Sequence, residues 1–336
     1  MVLFLSSQEV APLLSMKDYI ETIESAYKQM GQGGTTMLPR IKLDTSRKPG
    51  FLKILPASFS DLGVAGVHAY SVSGVGTFTK VIFLFDTNTG DLQAVIESDR
   101  IGWLVPGALS AVATKYLAKK EAKIMAIFGS GRQAKSQLPA VALVRDLELI
   151  KVYSPQKKHR DQYCEEMRDL LKLNVISVDS PEEALKGSDI VSTTSNSSTP
   201  VFDGNLIEQG AHINAIGAHD PDRRELDSVS VKRSKLVADS KDRVLKEEGE
   251  VLIPIKEGVI NPDHIYGELG EVIAGRKKGR TDEKEITLFL SGAIGIEYVA
   301  IAARIYQIAL KERIGQELHV GRDPAVPKSL YVKLRK

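Results

Sequence analysis

The feature that most restricts this chain is a short apolar run, Ile124-Met125-Ala126-Ile127-Phe128, followed directly by Gly129-Ser130-Gly131-Arg132-Gln133-Ala134. A lone Gly-x-Gly-x-x-Gly pattern is a weak signal, and here its last place is Ala134. The context strengthens it. An apolar strand leads in, Gly129 turns the chain, Gly131 lets the backbone approach a pyrophosphate, and Ala134 lets the next helix pack closely. The start of that helix offers free N–H groups and a positive dipole end to phosphate oxygens. Ser130, Arg132 and Gln133 join the expected cofactor contacts, as do Thr194, Gly217 and Ser291 further on.

After this turn strands and helices alternate, with strand candidates at 124–128, 149–153, 175–178, 189–193, 212–216 and 236–239. Alternation of this kind argues for a parallel, doubly wound (Rossmann) sheet. Upstream the pattern differs. Residues 8–30 read as one amphipathic helix, ended by Gly31-Gln32-Gly33-Gly34. Residues 51–55, 66–72, 80–85 and 92–96 are rich in β-branched and aromatic side chains and read as strands. Between the last two, Asp86 to Asp91 reads as a hairpin turn, with Asn88 and Gly90 where positive φ is needed. The fold class is therefore α/β, with a dinucleotide domain over 119–294. An α+β substrate and dimerisation domain takes 1–118 and 295–336. A helix of small residues at 107–120 suits packing between the two. From 285 onward the reading is a long apolar helix, and 318–336 reads as an extended tail.

A chain of 336 residues is long for one core, which agrees with two domains. Its 45 basic and 43 acidic residues leave a net charge of +2, so no strong field favours nucleic acid or a membrane surface. No apolar run approaches the roughly 20 residues that span a bilayer, and Glu9 interrupts the N-terminal apolar stretch. A single cysteine, Cys164, reads as an ordinary half-buried thiol and offers no disulfide or zinc site. A cytoplasmic protein is expected, with no metal.

The second strand of the parallel sheet ends at Tyr153-Ser154, where an acidic residue commonly binds the adenosine ribose hydroxyls of NAD. Here Ser154 precedes Pro155-Gln156-Lys157-Lys158-His159-Arg160. A small hydroxyl beside cations suits a 2′-phosphate, so NADP is favoured over NAD, with Ser154 and Lys157 as contacts.

At this point the chain resembles the ornithine cyclodeaminase/mu-crystallin family over nearly its whole length. The resemblance rests on Met37-Leu38-Pro39-Arg40, Leu84-Phe85-Asp86 through Gly90, and residues 129–137. Further on it rests on Gly187-Ser188-Asp189-Ile190-Val191, residues 210–217, Arg224-Glu225-Leu226-Asp227 and Gly267-Glu268-Leu269-Gly270-Glu271-Val272. It implies a split substrate domain, a homodimer formed through that domain's sheets, and chemistry at the α-carbon of an amino or imino acid. It also implies that Arg40 binds a substrate carboxylate, a task its guanidinium fork suits.

Departures from the family pattern carry information too. The usual strand lysine falls on His68, the second arginine on Val105, the cyclodeaminase aspartate on His219, and a late lysine on Leu290. Loss of the aspartate argues against ornithine cyclisation. Loss of the cations leaves two options: a less anionic substrate, or substitution by another cation such as Lys53 or Lys80. Of the six histidines, His68, His212 and His219 fall near expected strand ends; an imidazole there can pass a proton as hydride arrives. His68 and His219 are the catalytic candidates, and His212 reads as structural. The charged runs 220–225 and 243–250 read as a helix start and an exposed helix.

The expected protein is an NAD(P)-dependent amino-acid dehydrogenase or imine reductase acting on a small molecule. A redox-neutral cyclodeaminase, or a non-catalytic dinucleotide- or ligand-binding protein, are the alternatives.

Overall fold

Alternating β-branched and polar residues build the first sheet. In the computed structural model, which describes residues 2–44, 50–73 and 78–320, the strands Phe51–Phe59, Val64–Val72, Phe78–Asp86 and Leu92–Glu97 form an antiparallel meander. Gly90 makes its last turn with a φ of 76°. Asn88 does not share that conformation; its N–H is held by the Asp86 carboxylate at 2.7 Å. Val2–Leu5 adds in parallel to Leu92–Glu97, and Gln316–Leu318 pairs antiparallel with Val2–Leu5. At the opposite side Thr35–Met37 and Ile41–Asp44 both pair with Phe51–Phe59. Most of the extended tail expected at 318–336 lies outside the described residues.

The single helix expected at 8–30 is two helices, Ser7–Val10 and Met16–Gly31, each opened by a serine capping box. Pro12 lies between them; a proline has no N–H to continue the first helix. Helix Gly295–Glu312 crosses one face of the meander. It can do so because Gly66 has no side chain: a Cβ there would stand 2.9 Å from Val299. The small-residue helix runs from Asp99 to Leu117 and is buried along most of its length. It packs on helix Ala134–Ala142, so tightly that a Cβ at Gly107 would stand 2.3 Å from the Ser136 carbonyl oxygen.

The second sheet is parallel throughout and has eight strands rather than six. Its order is Val175–Ser177, Leu149–Tyr153, Ile124–Phe128, Ile190–Thr193, His212–Ala215, Ile286–Leu290, Ser234–Ala238 and Ile265–Glu268. The unexpected central strand, Ile286–Leu290, is buried at every position, and the final helix starts only at Gly295. A five-residue apolar run reads equally as buried strand or helix, and pairing on both sides settles it as strand. The order reverses between Ile124–Phe128 and Ile190–Thr193, so a crevice opens at the carboxyl ends of these strands, beside Gly129. No helix among the described residues is long and apolar enough to cross a membrane.

Candidate active site

The crevice is built by two glycines with different tasks. Gly129 has a φ of 113°, and a Cβ on it would stand 2.8 Å from Thr194 Oγ1, so both conformation and space demand glycine. Gly131 faces open space, with nothing within 4 Å of an added Cβ. The turn Gly129–Gln133 lines the crevice and leads into a helix that has no side-chain cap at Gln133. A helix start of this kind suits a pyrophosphate. The cleft measures about 800 Å³, and Ser130, Arg132, Ser154, His159, Thr194 and Gly217 are in its wall. Among the described residues no carboxylate lines it.

Lys157 is not where the sequence reading placed it. It lies on the outer face of helix Lys157–Leu171, 66% exposed, and pairs with Asp161 at 2.7 Å. Neither it nor Lys158 lines the cleft; Gln156 and His159 do. Arg160 turns inward, and its Nη1 donates to the Ser154 carbonyl at 2.9 Å. Ser154 faces Ser130, with the hydroxyl oxygens 3.1 Å apart.

A second cavity of about 180 Å³ lies between the two sheets, and Gln133 lines both it and the cleft. Register explains one wall. Lys53, Tyr70 and Lys80 are cross-strand partners, so they leave the meander in one row on one face, with His68 two residues before Tyr70. Arg40 adds a guanidinium whose side chain is 7% exposed. From the parallel sheet come Ile216, His219, Ser291 and Gly292. Ser291 therefore borders this cavity rather than the dinucleotide cleft, because it follows the central strand Ile286–Leu290 instead of lying in a helix.

Cations dominate the cavity. Arg40 is balanced by Glu247 at 2.7 Å, and Lys80 has the half-exposed Asp99 at 3.8 Å. Burial, then the Arg40 charge, lowers Lys53 to about 8, and burial also lowers Lys80. No carboxylate lines the cavity among the described residues. Val105 and Leu290, the positions where family cations are missing, are fully buried in helix and strand. Lys53 and Lys80 line the cavity.

His68 is 2% exposed and stacks on Tyr298, ring centroids 3.8 Å apart. Burial pushes its imidazole down to about 3, so the ring is neutral at physiological pH. His212 is held by Thr287 and Asn214, at 3.0 and 3.2 Å, inside the sheet. Cys164 is fully buried rather than half-buried, and burial pushes its thiol up to about 11.

The run 243–250, which read as an exposed helix, is in large part internal, whereas in 220–225 only Glu225 is buried. Glu225 is fully buried and accepts from the Ser195 and Gly217 N–H groups at 2.5 and 2.9 Å, fixing the two loops that border the cleft. Arg243, Glu248 and Glu250 are buried as well. Opposite charges that neutralise one another in space leave no apolar signature in sequence. The Asp239/Arg243 spacing of four was the only local hint.

A parallel sheet with a glycine turn at its switch point, joined to an α+β sheet over a cation-lined cavity, defines an α/β protein of the doubly wound dinucleotide fold. A family model described as the ornithine cyclodeaminase/mu-crystallin family matches residues 2–313, and the chain belongs to that family. It is 32% identical over 324 residues to a Delta(1)-pyrroline-2-carboxylate reductase of Bacillus cereus, covering 94% of this chain and 99% of the relative. The structure of the Thermococcus litoralis Delta(1)-pyrroline-2-carboxylate reductase, in complex with NADH and L-proline, superimposes with a TM-score of 0.89 at 39% identity, covering 94% of this chain and all (100%) of that one. An archaeal alanine dehydrogenase dimer with bound NAD also gives 0.89, at 31% identity, covering 95% of this chain and 99% of the other.

Proposed function

We propose that this chain is an NAD(P)-dependent oxidoreductase that transfers hydride at the α-carbon of a small imino, keto or amino acid. The observation that carries the reading is the small cation-lined cavity, which meets the dinucleotide cleft at Gln133. Its volume of about 180 Å³ falls below the roughly 300–1,000 Å³ of sites for drug-sized ligands. Relatives that act on pyrroline-2-carboxylate and alanine support the same class.

The residues then have distinct tasks. Gly129, Gly131 and the start of helix Ala134–Ala142 hold the pyrophosphate; when bound, the nicotinamide ring supplies or takes up hydride. Arg40, Lys53 and Lys80 receive the substrate carboxylate. His68, neutral and stacked on Tyr298, orients the substrate by hydrogen bonding rather than by titration. His219 moves the proton. With no carboxylate among the described lining residues to meet a second ammonium group, ornithine is a poor fit.

A panel of cyclic imino acids, and of keto acids with amines, assayed with both reduced nicotinamides tests the class. Consumption of the cofactor by at least one imino or keto acid is expected. Ammonia release from an amino acid without net cofactor change would mark a cyclodeaminase, and inactivity with every compound would sink the reading.

For the adenosine end we propose a mild NADP preference, set by Ser154 and His159 in a cleft wall without described carboxylates. Ser154→Asp should repel the 2′-phosphate and shift preference toward NAD, as read by competitive titration. A wild-type protein that binds NAD tenfold more tightly, about 1.4 kcal/mol, contradicts this.

We further propose the domain division at 118/119 and 294/295 and a cytoplasmic homodimer. The outward row Val67, Ala69, Val81, Phe83 and Phe85 leaves the meander half-buried on the face away from the cavity, and the archaeal relative is a dimer.

A further inference from the structure

We propose that Glu248 is the positioning carboxylate of His219, and that the two form a proton relay serving the substrate cavity. The inference rests on the oxidoreductase reading for its function, and first on geometry for the pair.

His219 lies in the loop beyond strand His212–Ala215 and lines the cavity with a side chain 31% exposed. Its Nδ1 is buried and stands 3.8 Å from Glu248 Oε1, within ion-pair reach. The turn bearing Glu248 is pressed against the His219 loop: a Cβ on Gly249 would stand 1.9 Å from the Arg223 carbonyl oxygen and 2.8 Å from that of Asp220. The separation between imidazole and carboxylate is thus set by backbone packing.

A carboxylate that is 2% exposed is costly unless paired. Glu248 Oε2 is paired with Arg243 Nη1 at 2.5 Å. Arg243 in turn gives its Nε to both Asp239 oxygens, at 2.9 and 3.0 Å, and Asp239 accepts the Gly292 N–H at 2.8 Å. Gly292 lines the same cavity, so the chain of contacts begins and ends at the site. Burial works to raise Glu248, yet Arg243 and His219 hold it below the ordinary carboxylate range. Burial and the Glu248 charge drive Glu250 well above that range, and its Oε1 accepts the Glu225 N–H at 2.7 Å. Glu225 is raised by burial and occupied by two loop N–H groups. Of these three buried glutamates, Glu248 alone combines an ionised carboxylate with reach to the imidazole.

The charged groups around His219 are Glu248, Asp220 next to it in the loop, and Arg40, Lys53 and Lys80 in the cavity wall, with Arg243 behind Glu248. Nδ1 makes no hydrogen bond in this structure and has Glu248 at 3.8 Å, so in the proposed pair Nδ1 serves Glu248 and Nε2 is left for the substrate. In the reductive direction the Nε2 proton passes to the substrate nitrogen, the C=N π pair moves onto that nitrogen, and hydride from the reduced nicotinamide forms the new C–H bond. Neutral His219 then regains a proton from solvent through its exposed edge.

The test is an NMR titration of the histidine rings in the cofactor-free protein, with His219→Asn supplying the assignment, beside kcat–pH profiles. Glu248→Gln should move the His219 titration to lower pH by about 0.5 or more. The high-pH fall of reductive kcat should move the same way, with little change in KM. His219→Asn should lose that limb and lower kcat about 100-fold. If Glu248→Gln does not fold, Glu248→Asp keeps the charge beside Arg243 and should shift the ring titration in the same direction by less. An unmoved His219 titration in either folded variant overturns the pair. A His219→Asn enzyme that keeps its turnover and its limb overturns the relay. Inactivity of the wild type on the whole panel removes the oxidoreductase reading and leaves the titration to judge the pair.

Discussion

Replacing Gly131 by valine should weaken dinucleotide binding at least 100-fold, about 2.8 kcal/mol, while leaving the fold and thermal stability close to wild type. The two halves of this expectation have separate causes. Gly131 has no positive φ, and nothing lies within 4 Å of an added Cβ, so the folded protein accommodates a side chain there. The space that valine fills is the space over the uncapped start of helix Ala134–Ala142, where the pyrophosphate must meet backbone N–H groups. Gly129 makes the contrast. Its φ of 113° and the 2.8 Å approach to Thr194 mean that a side chain there strains the protein itself. Titration of fluorescence with both reduced nicotinamides, beside a melting curve, separates the effects. Unchanged titration in the Gly131→Val protein would place the cofactor elsewhere.

Arg243→Met should cost about 3–5 kcal/mol of stability, because it leaves two buried carboxylates without their shared partner. Asp239 is fully buried and Glu248 nearly so, and both contact the one guanidinium. The loss should depend on pH. In the wild type Glu248 is held below the ordinary range, so its contribution is present above the unfolded carboxylate value and fades as pH falls through the folded one. In the variant the unpaired carboxylate is raised by burial, so its penalty is full at alkaline pH and relieved as acid protonates it. The stability gap between the two proteins should therefore narrow toward acid. Denaturant unfolding at several pH values measures it. A gap below about 1 kcal/mol, the scale of exposed pairs, or one that does not change with pH, would mean that the cluster is solvated.

What sequence alone determined about this protein was whatever depends on local chemistry. The apolar strand, Gly129, Gly131 and Ala134 locate the cleft within a few residues, because tight turn, close approach and helix packing each demand a small residue at a set spacing. The hairpin around Gly90 and the parallel alternation after residue 120 were legible for the same reason, and distributed motifs carried the family. The break at Pro12 was also written locally and was missed by reading periodicity across it. Tertiary structure decided the rest. Ile286–Leu290 is a strand because it is paired on both sides, a fact held by its neighbours and not by its five residues. Lys53 and Lys80 reach the cavity because register aligns them with Tyr70. The neutrality of His68 and the burial of Arg243, Glu248 and Glu250 arise from desolvation and long-range pairing. A charge looks the same in sequence whether water or an opposite charge surrounds it, and only the folded chain chooses between them.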